Sequence, residues 1–154
     1  MGREPPEIGA VFEIPTPNGL GYGQFTHEHD DYGELVRVLP GLFAERPANL
    51  PALVAGPERY FVFYVLRTAL KDGLVALVGT FPIPEHAVRF PTLRSGMQDP
   101  QTGKTEVWWL WDGENEWRVG ELTPDQRRLS TRGIINHPRL VERLLGSWTP
   151  EDRA

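Results

Sequence analysis

Cysteine is absent from this 154-residue chain, so neither a disulfide nor a thiolate metal site contributes to it. Lysine is nearly absent too: only Lys71 and Lys104 stand among 16 basic residues, an arginine bias that fits a GC-rich bacterial genome. Positive charge is in deficit against 21 acids, which speaks against a nucleic-acid partner because phosphate binding needs surplus cations. No apolar run approaches the ~20 residues that cross a bilayer, and the opening Met1–Ile8 lacks the apolar centre of a signal peptide. The expectation is a cytoplasmic protein with no membrane association. The usual signatures of small-molecule chemistry are missing as well. There is no Gly-x-Ser-x-Gly nucleophile turn. Gly19-Leu-Gly-Tyr-Gly23 lacks the third glycine and the following helix of a dinucleotide loop. Gly103-Lys104-Thr105 ends like a phosphate loop, but Gln98 occupies the place of its first glycine. No cofactor is expected.

What is present is a sharply uneven distribution of charge. Residues 1–40 hold seven acids against Arg3 and Arg37, the whole net charge of −5, while the remaining 14 acids and 14 bases balance. The same stretch reads as a three-strand meander. Val11, Phe12 and Ile14 form a first strand; Asn18-Gly19 supplies a tight hairpin turn. A return strand over Leu20–Phe25 carries bare glycines at 21 and 23, where something large must pack. Leu35–Leu39 closes the meander before Pro40-Gly41.

Further along, Tyr60–Leu66 is the most apolar run and reads as a strand buried on both faces. Asn49 or Leu50 precedes one helical turn, a short helix or turn spans Arg67–Asp72, and a fifth strand covers Leu74–Val78. Residues 81–104, rich in proline, read as a long connection. Val107–Trp111 and Trp117–Val119 form a hairpin around Asp112-Gly113. Thr123 and Asn136 are N-caps, each soon followed by proline, for C-terminal helices. The expected fold is α+β: a mostly antiparallel, twisted sheet of about six or seven strands by pattern count, its meander able to curl into an SH3-like barrel. Residues 9–150 form a single globular domain, residues 1–8 a flexible lead-in and residues 151–154 a tail.

His27-Glu28-His29-Asp30-Asp31 is the sharpest chemical candidate. His27, His29 and Asp31 partly match the His-x-His-x-Asp-His motif of binuclear zinc hydrolases, with Tyr32 where the last histidine belongs. Zinc needs three or four ligands held by further hydrogen bonds, so the plainer reading is a solvated hairpin loop. Glu13 and Glu34, on neighbouring strands, are a candidate acid–base pair of glycosidase type. In a regular strand Trp109 and Trp111 point one way, Trp108 and Leu110 the other. Such rings serve either as a stacking platform for peptide or sugar or as a seal against the terminal helices.

In order and spacing, the chain resembles the immunity protein 26 family of bacterial polymorphic toxin systems. The resemblance rests on Gly9-x-Val-Phe-x-Ile-Pro15, Gly19-x-x-Tyr22-Gly-Gln24, Tyr32-Gly-x-Leu-Val-Arg-Val38, Pro57-Glu-Arg-Tyr-Phe-Val-Phe63, Phe90-Pro-x-x-Arg94 and Trp109-x-Trp-Asp-Gly113 with Val119-Gly-x-Leu122. It implies a non-catalytic protein that binds and silences a cognate protein toxin. On that reading Glu28, Asp30, Asp31 and Glu34 would steer a basic partner, and Tyr22 and Tyr32 would anchor it. The alternatives are a small metal-dependent hydrolase using His27, His29 and Asp31, and a general peptide- or ligand-binding module. Oligomeric state is left open by the sequence.

Overall fold

The computed structural model describes residues 5–152, so the ends of the expected lead-in and tail, residues 1–4 and 153–154, lie outside the described residues. Among the described residues, nine strands and four short α-helices make up an α+β fold. The strands are β1 (Ala10–Thr16), β2 (Gly19–His29), β3 (Gly33–Val38), β4 (Tyr60–Tyr64), β5 (Ala76–Thr80), β6 (Leu93–Gln98), β7 (Thr105–Trp111), β8 (Glu116–Gly120) and β9 (Ile134–Ile135). The helices are α1 (Leu50–Ala55), α2 (Leu66–Lys71), α3 (Glu85–Val88) and α4 (His137–Leu145).

Six strands form one sheet in the order β5-β1-β2-β3-β4-β9, antiparallel except for the β4–β9 pair, and β6-β7-β8 form a second, antiparallel sheet. The meander does not curl into a barrel. It occupies the middle of an open sheet whose ends, β5 and β9, do not pair with each other.

Register divides the large sheet into two buried faces. Phe12, Phe25, Val36, Val38 and Val62 share one face with Leu66, Ala69 and Leu70 of α2 and Leu140 and Leu144 of α4. The spacing of Leu140 and Leu144 lays one stripe of α4 on the sheet, and Asn136 caps that helix by accepting from Arg139 N at 2.9 Å. Here the two meander glycines find their reason. A Cβ at Gly23 would sit 2.5 Å from Phe12 Cζ, and one at Gly21 would sit 3.1 Å from a Leu144 methyl. The opposite face carries Val11, Tyr22 and Leu39 against Leu50 and Val54 of α1, then Leu35 and Phe63 against Leu93 and Trp111 of the small sheet.

Two expected boundaries move. β4 stops at Tyr64, and Val65 already precedes α2. Glu34 Oε1 on β3 accepts from Arg67 N at 3.1 Å, satisfying one of the first-turn donors that Val65 has no side chain to reach. The 81–104 connection is not a plain loop: it contains α3 and β6. Thr123 and Gln126 bond reciprocally, side chain to backbone, but start only a 3₁₀ turn over Gln126–Arg128. Residues 150–152 form another 3₁₀ turn, whose Pro150 carbonyl accepts from the buried Arg94 guanidinium. Glu151 and Asp152 of the expected tail complete that turn and are exposed.

Candidate functional site

The pairing of β2 with β3 slips at Thr26. Phe25 lies opposite Val36, whereas His27 lies opposite Leu35. This bulge turns His27 and His29 onto the face opposite Phe25, toward the small sheet. His27 Nε2 donates to the Val88 carbonyl at 2.8 Å, and its Nδ1 lies 2.9 Å from Thr26 Oγ1. Burial pushes the His27 pKa down. Asp31 N donates to His29 Nδ1 at 3.1 Å, which makes Nε2 the N–H nitrogen, donating to Gly113 O at 3.0 Å. The His29 ring lies among Tyr32, Phe63, Phe90 and Trp111, with centroids 5.0–6.3 Å away. Arg132 closes this cluster: its guanidinium lies 5.2 Å from the Trp111 centroid and bonds Glu116 at 2.6 Å and Ser95 at 2.8 Å.

His29 thus fastens the β7–β8 turn of the small sheet to the large one, and His27 fastens the end of α3. Asp31 contributes a backbone N–H rather than a carboxylate, and no group of three His, Cys, Asp or Glu among the described residues is placed to hold a metal ion.

Glu13 and Glu34 do not converge either. Glu13 lies opposite Tyr22 on the face covered by α1, and Glu34 lies opposite Glu28 on the face covered by α2. Tyr22 donates to Glu13 Oε2 at 2.7 Å, and Arg46 Nε donates to the same oxygen at 2.9 Å. The Arg46 hydrogen bond holds the Glu13 carboxyl below its usual range, while burial and Glu13 push the Tyr22 phenol up to about 12. Tyr22 is 0% exposed, so it is a core residue and not the surface anchor expected of it. Tyr32 is half-buried, stacked on Phe63 at 5.1 Å with Arg132 above it. Arg67 stands between Glu28 and Glu34, 2.7 Å from the first and 3.8 Å from the second. Of the four steering acids, Asp30 and Asp31 at the hairpin tip have no ion-pair partner among the described residues.

The motif residues Gln24, Arg37 and Glu58 meet in one buried network. Arg37, 0% exposed, donates to Glu58 Oε1 at 2.7 Å, to Gln24 Oε1 at 2.9 Å, and to the carbonyls of Val54 and Gly56 that end α1. Gln24 Nε2 donates to the carbonyls of Gly9 and Phe81. Fully paired, such a network fixes a unique arrangement; half-paired, it is costly.

One exposed region uses none of these bonds. The β6–β7 hairpin docks on the large sheet through Leu93 and Trp111 at one end. At its far end Met97 is 89% exposed, and Val107 and Trp109 are each 37% exposed. With Gln98, Asp99, Glu106 and the loop residues Pro100 and Gln101 they line an open cleft of 670 Å³. The expected alternation holds: Trp109 and Trp111 lie opposite Ser95 and Leu93 on one face, Trp108 and Leu110 opposite Gly96 and Arg94 on the other. Trp108 is buried beside Arg94, whose guanidinium lies 4.7 Å from its centroid, and Trp111 is buried on the other face, leaving Trp109 in solvent. Register slips on both sides of β7 bend the hairpin. Sequence reasoning assigned no binding role to Met97, Asp99 or Glu106. The available signal was a Trp-rich strand preceded by Met97 in a polar, glycine-containing segment.

Comparison with known protein families, curated proteins and solved structures finds no match to this chain in any of the three.

Proposed function

We propose that this chain is a non-catalytic binding protein that silences a protein toxin by stoichiometric occlusion, the role its resemblance to the immunity protein 26 family implies. One observation carries the reading: a tryptophan, a methionine and a valine stand in solvent around an open cleft flanked by Asp99 and Glu106, on a hairpin braced by a rigid aromatic cluster. Exposed Trp and Met are residue types that dominate binding energy at protein interfaces, and apolar patches rimmed by polar residues mark such interfaces. Asp30 and Asp31 add long-range attraction for a basic partner. The anchoring role expected of Tyr22 and Tyr32 passes to Trp109 and Met97. A metal-dependent hydrolase would require His27 and His29 to surrender Val88 and Gly113, the bonds that hold α3 and the small sheet to the large one.

The test mixes the chain with the product of a neighbouring toxin gene in a calorimeter while toxin activity is followed. A one-to-one complex and activity that falls in proportion to added chain are expected. Trp109→Ala weakens the complex by about 30-fold, the scale of a 2 kcal/mol anchor. Absence of a complex rejects the reading. An unchanged affinity in Trp109→Ala moves the interface elsewhere.

A further inference from the structure

The edges of the two sheets are finished differently. On the large sheet, β4 is covered by the parallel β9, and on the small one the start of β6 is closed by residues 130–132, which bond Arg94 N and O. β5 pairs with β1 on one side only; on the other, its N–H and C=O groups meet no partner among the described residues. Ala76, Leu77, Gly79 and Thr80 are exposed, Leu77 at 43%, and Leu74 just before the strand at 42%. Residues 73–84 carry no charge. Proteins ordinarily guard such an edge with lysine, proline or inward charges. Here a bulge at Val78 twists the strand without charging it, and the prolines come only afterwards, at Pro82 and Pro84.

We infer that β5 is a self-association edge, at which two copies of this chain pair β5 with β5, antiparallel, across a two-fold axis. An antiparallel pair of identical strands is self-complementary, as a two-fold interface requires. The charge pattern selects a second copy over the basic partner invoked above. Two molecules of net charge −5 approach at least electrostatic cost along an uncharged strip, and residues 73–84 themselves give a basic partner no carboxylate to pair with. Pairing near Leu77 sets that side chain beside its symmetry mate and covers Leu74. A cleft of 180 Å³ alongside is lined by Pro5, Glu7, Ala10, Leu77, Gly79 and Thr80, so each copy also brings the Glu7 carboxylate near the contact. A strip this short buries less than a standard interface, which makes the dimer weak and concentration-dependent.

Sedimentation equilibrium over a concentration series tests it. The average mass rises from 17.4 kDa toward twice that value, and added salt strengthens association because it screens like charges. Amide exchange in β5 slows at high concentration. Leu77→Arg and Ala76→Lys each hold the protein monomeric with thermal melting close to the parent, while Trp109→Ala leaves the dimer intact. A monomer at every concentration overturns the inference. So does a dimer that survives both β5 variants, or a partner protein that protects the β5 amides while the chain alone stays monomeric.

Discussion

Two hairpins of this molecule invert what their side chains promise. The β2–β3 hairpin carries histidines and acids, the vocabulary of catalysis, yet turns both imidazoles inward onto main-chain carbonyls. The β6–β7 hairpin carries tryptophan and methionine, the vocabulary of a core, yet leaves Trp109 and Met97 in solvent. A one-residue slip decides the first outcome, because the bulge at Thr26 carries the imidazoles across the sheet; in the second, Trp109 shares a face with Trp111 but lies two residues farther from the end docked through Leu93. Residue type names the chemistry a side chain is capable of, and backbone register and place along the strand decide whether it is spent on the fold or offered to a partner.

The contrast is sharpest between two indoles on one strand. Trp111→Ala removes a buried ring from the aromatic cluster and should cost about 3–5 kcal/mol of stability, measured by denaturant unfolding. His29→Ala removes the bond to Gly113 and a ring from the same cluster, with an expected loss of about 1–3 kcal/mol. A loss below about 0.5 kcal/mol would mean that the two sheets are not fastened there. The next effect is on pH dependence. Because burial lowers the His27 and His137 pKa values, the unfolded chain binds protons more readily than the native one. Stability should be full above the unfolded value of about 6.5 and decline as pH falls below it. His27→Gln should flatten that decline in thermal melts between neutral and mildly acidic pH. The smallest change in stability, within about 0.5 kcal/mol, belongs to Trp109→Ala. Its loss of partner affinity, set against the Trp111 result, separates a presented ring from a structural one. Replacing Asp30 and Asp31 together by lysine should likewise leave stability alone, slow association with a basic partner and flatten its salt dependence. An unchanged on-rate would remove these acids from the encounter.

Much of the N-terminal half was legible in the sequence. Asn18-Gly19 marks the first hairpin, Gly21 and Gly23 announce the large side chains that cover them, and Asn49 and Asn136 cap their helices. Those features are local, or depend on one neighbour of fixed size. β6 was not legible, because Ser95-Gly96-Met97-Gln98 has neither apolar alternation nor strand propensity. It is a strand because Gly96 admits Thr105 and Trp108 so closely that a Cβ there would come within 2.4 Å of a Thr105 methyl. The acidic excess of residues 1–40 is also partly offset in three dimensions. Arg46 and Arg67, from later in the chain, sit on Glu13, Glu28 and Glu34. Charge counted along a sequence does not foresee which distant arginine will fold back onto it. The family-like motifs turn out to mark the scaffold: Gln24, Arg37 and Glu58 are partners in the buried network.

That network also carries a kinetic consequence. Arg37 joins partners 13 to 21 residues away in sequence, whereas the clasps from His27 and His29 reach across 61 and 84 residues. Short loops close at lower entropic cost, so the segment from Gln24 to Glu58 should assemble in the rate-limiting step and the small sheet should dock after it. In stopped-flow refolding, Arg37→Met should therefore slow folding and His29→Ala should chiefly hasten unfolding. The order of assembly would then run from the guanidinium outward, with the exposed β6–β7 hairpin arriving last.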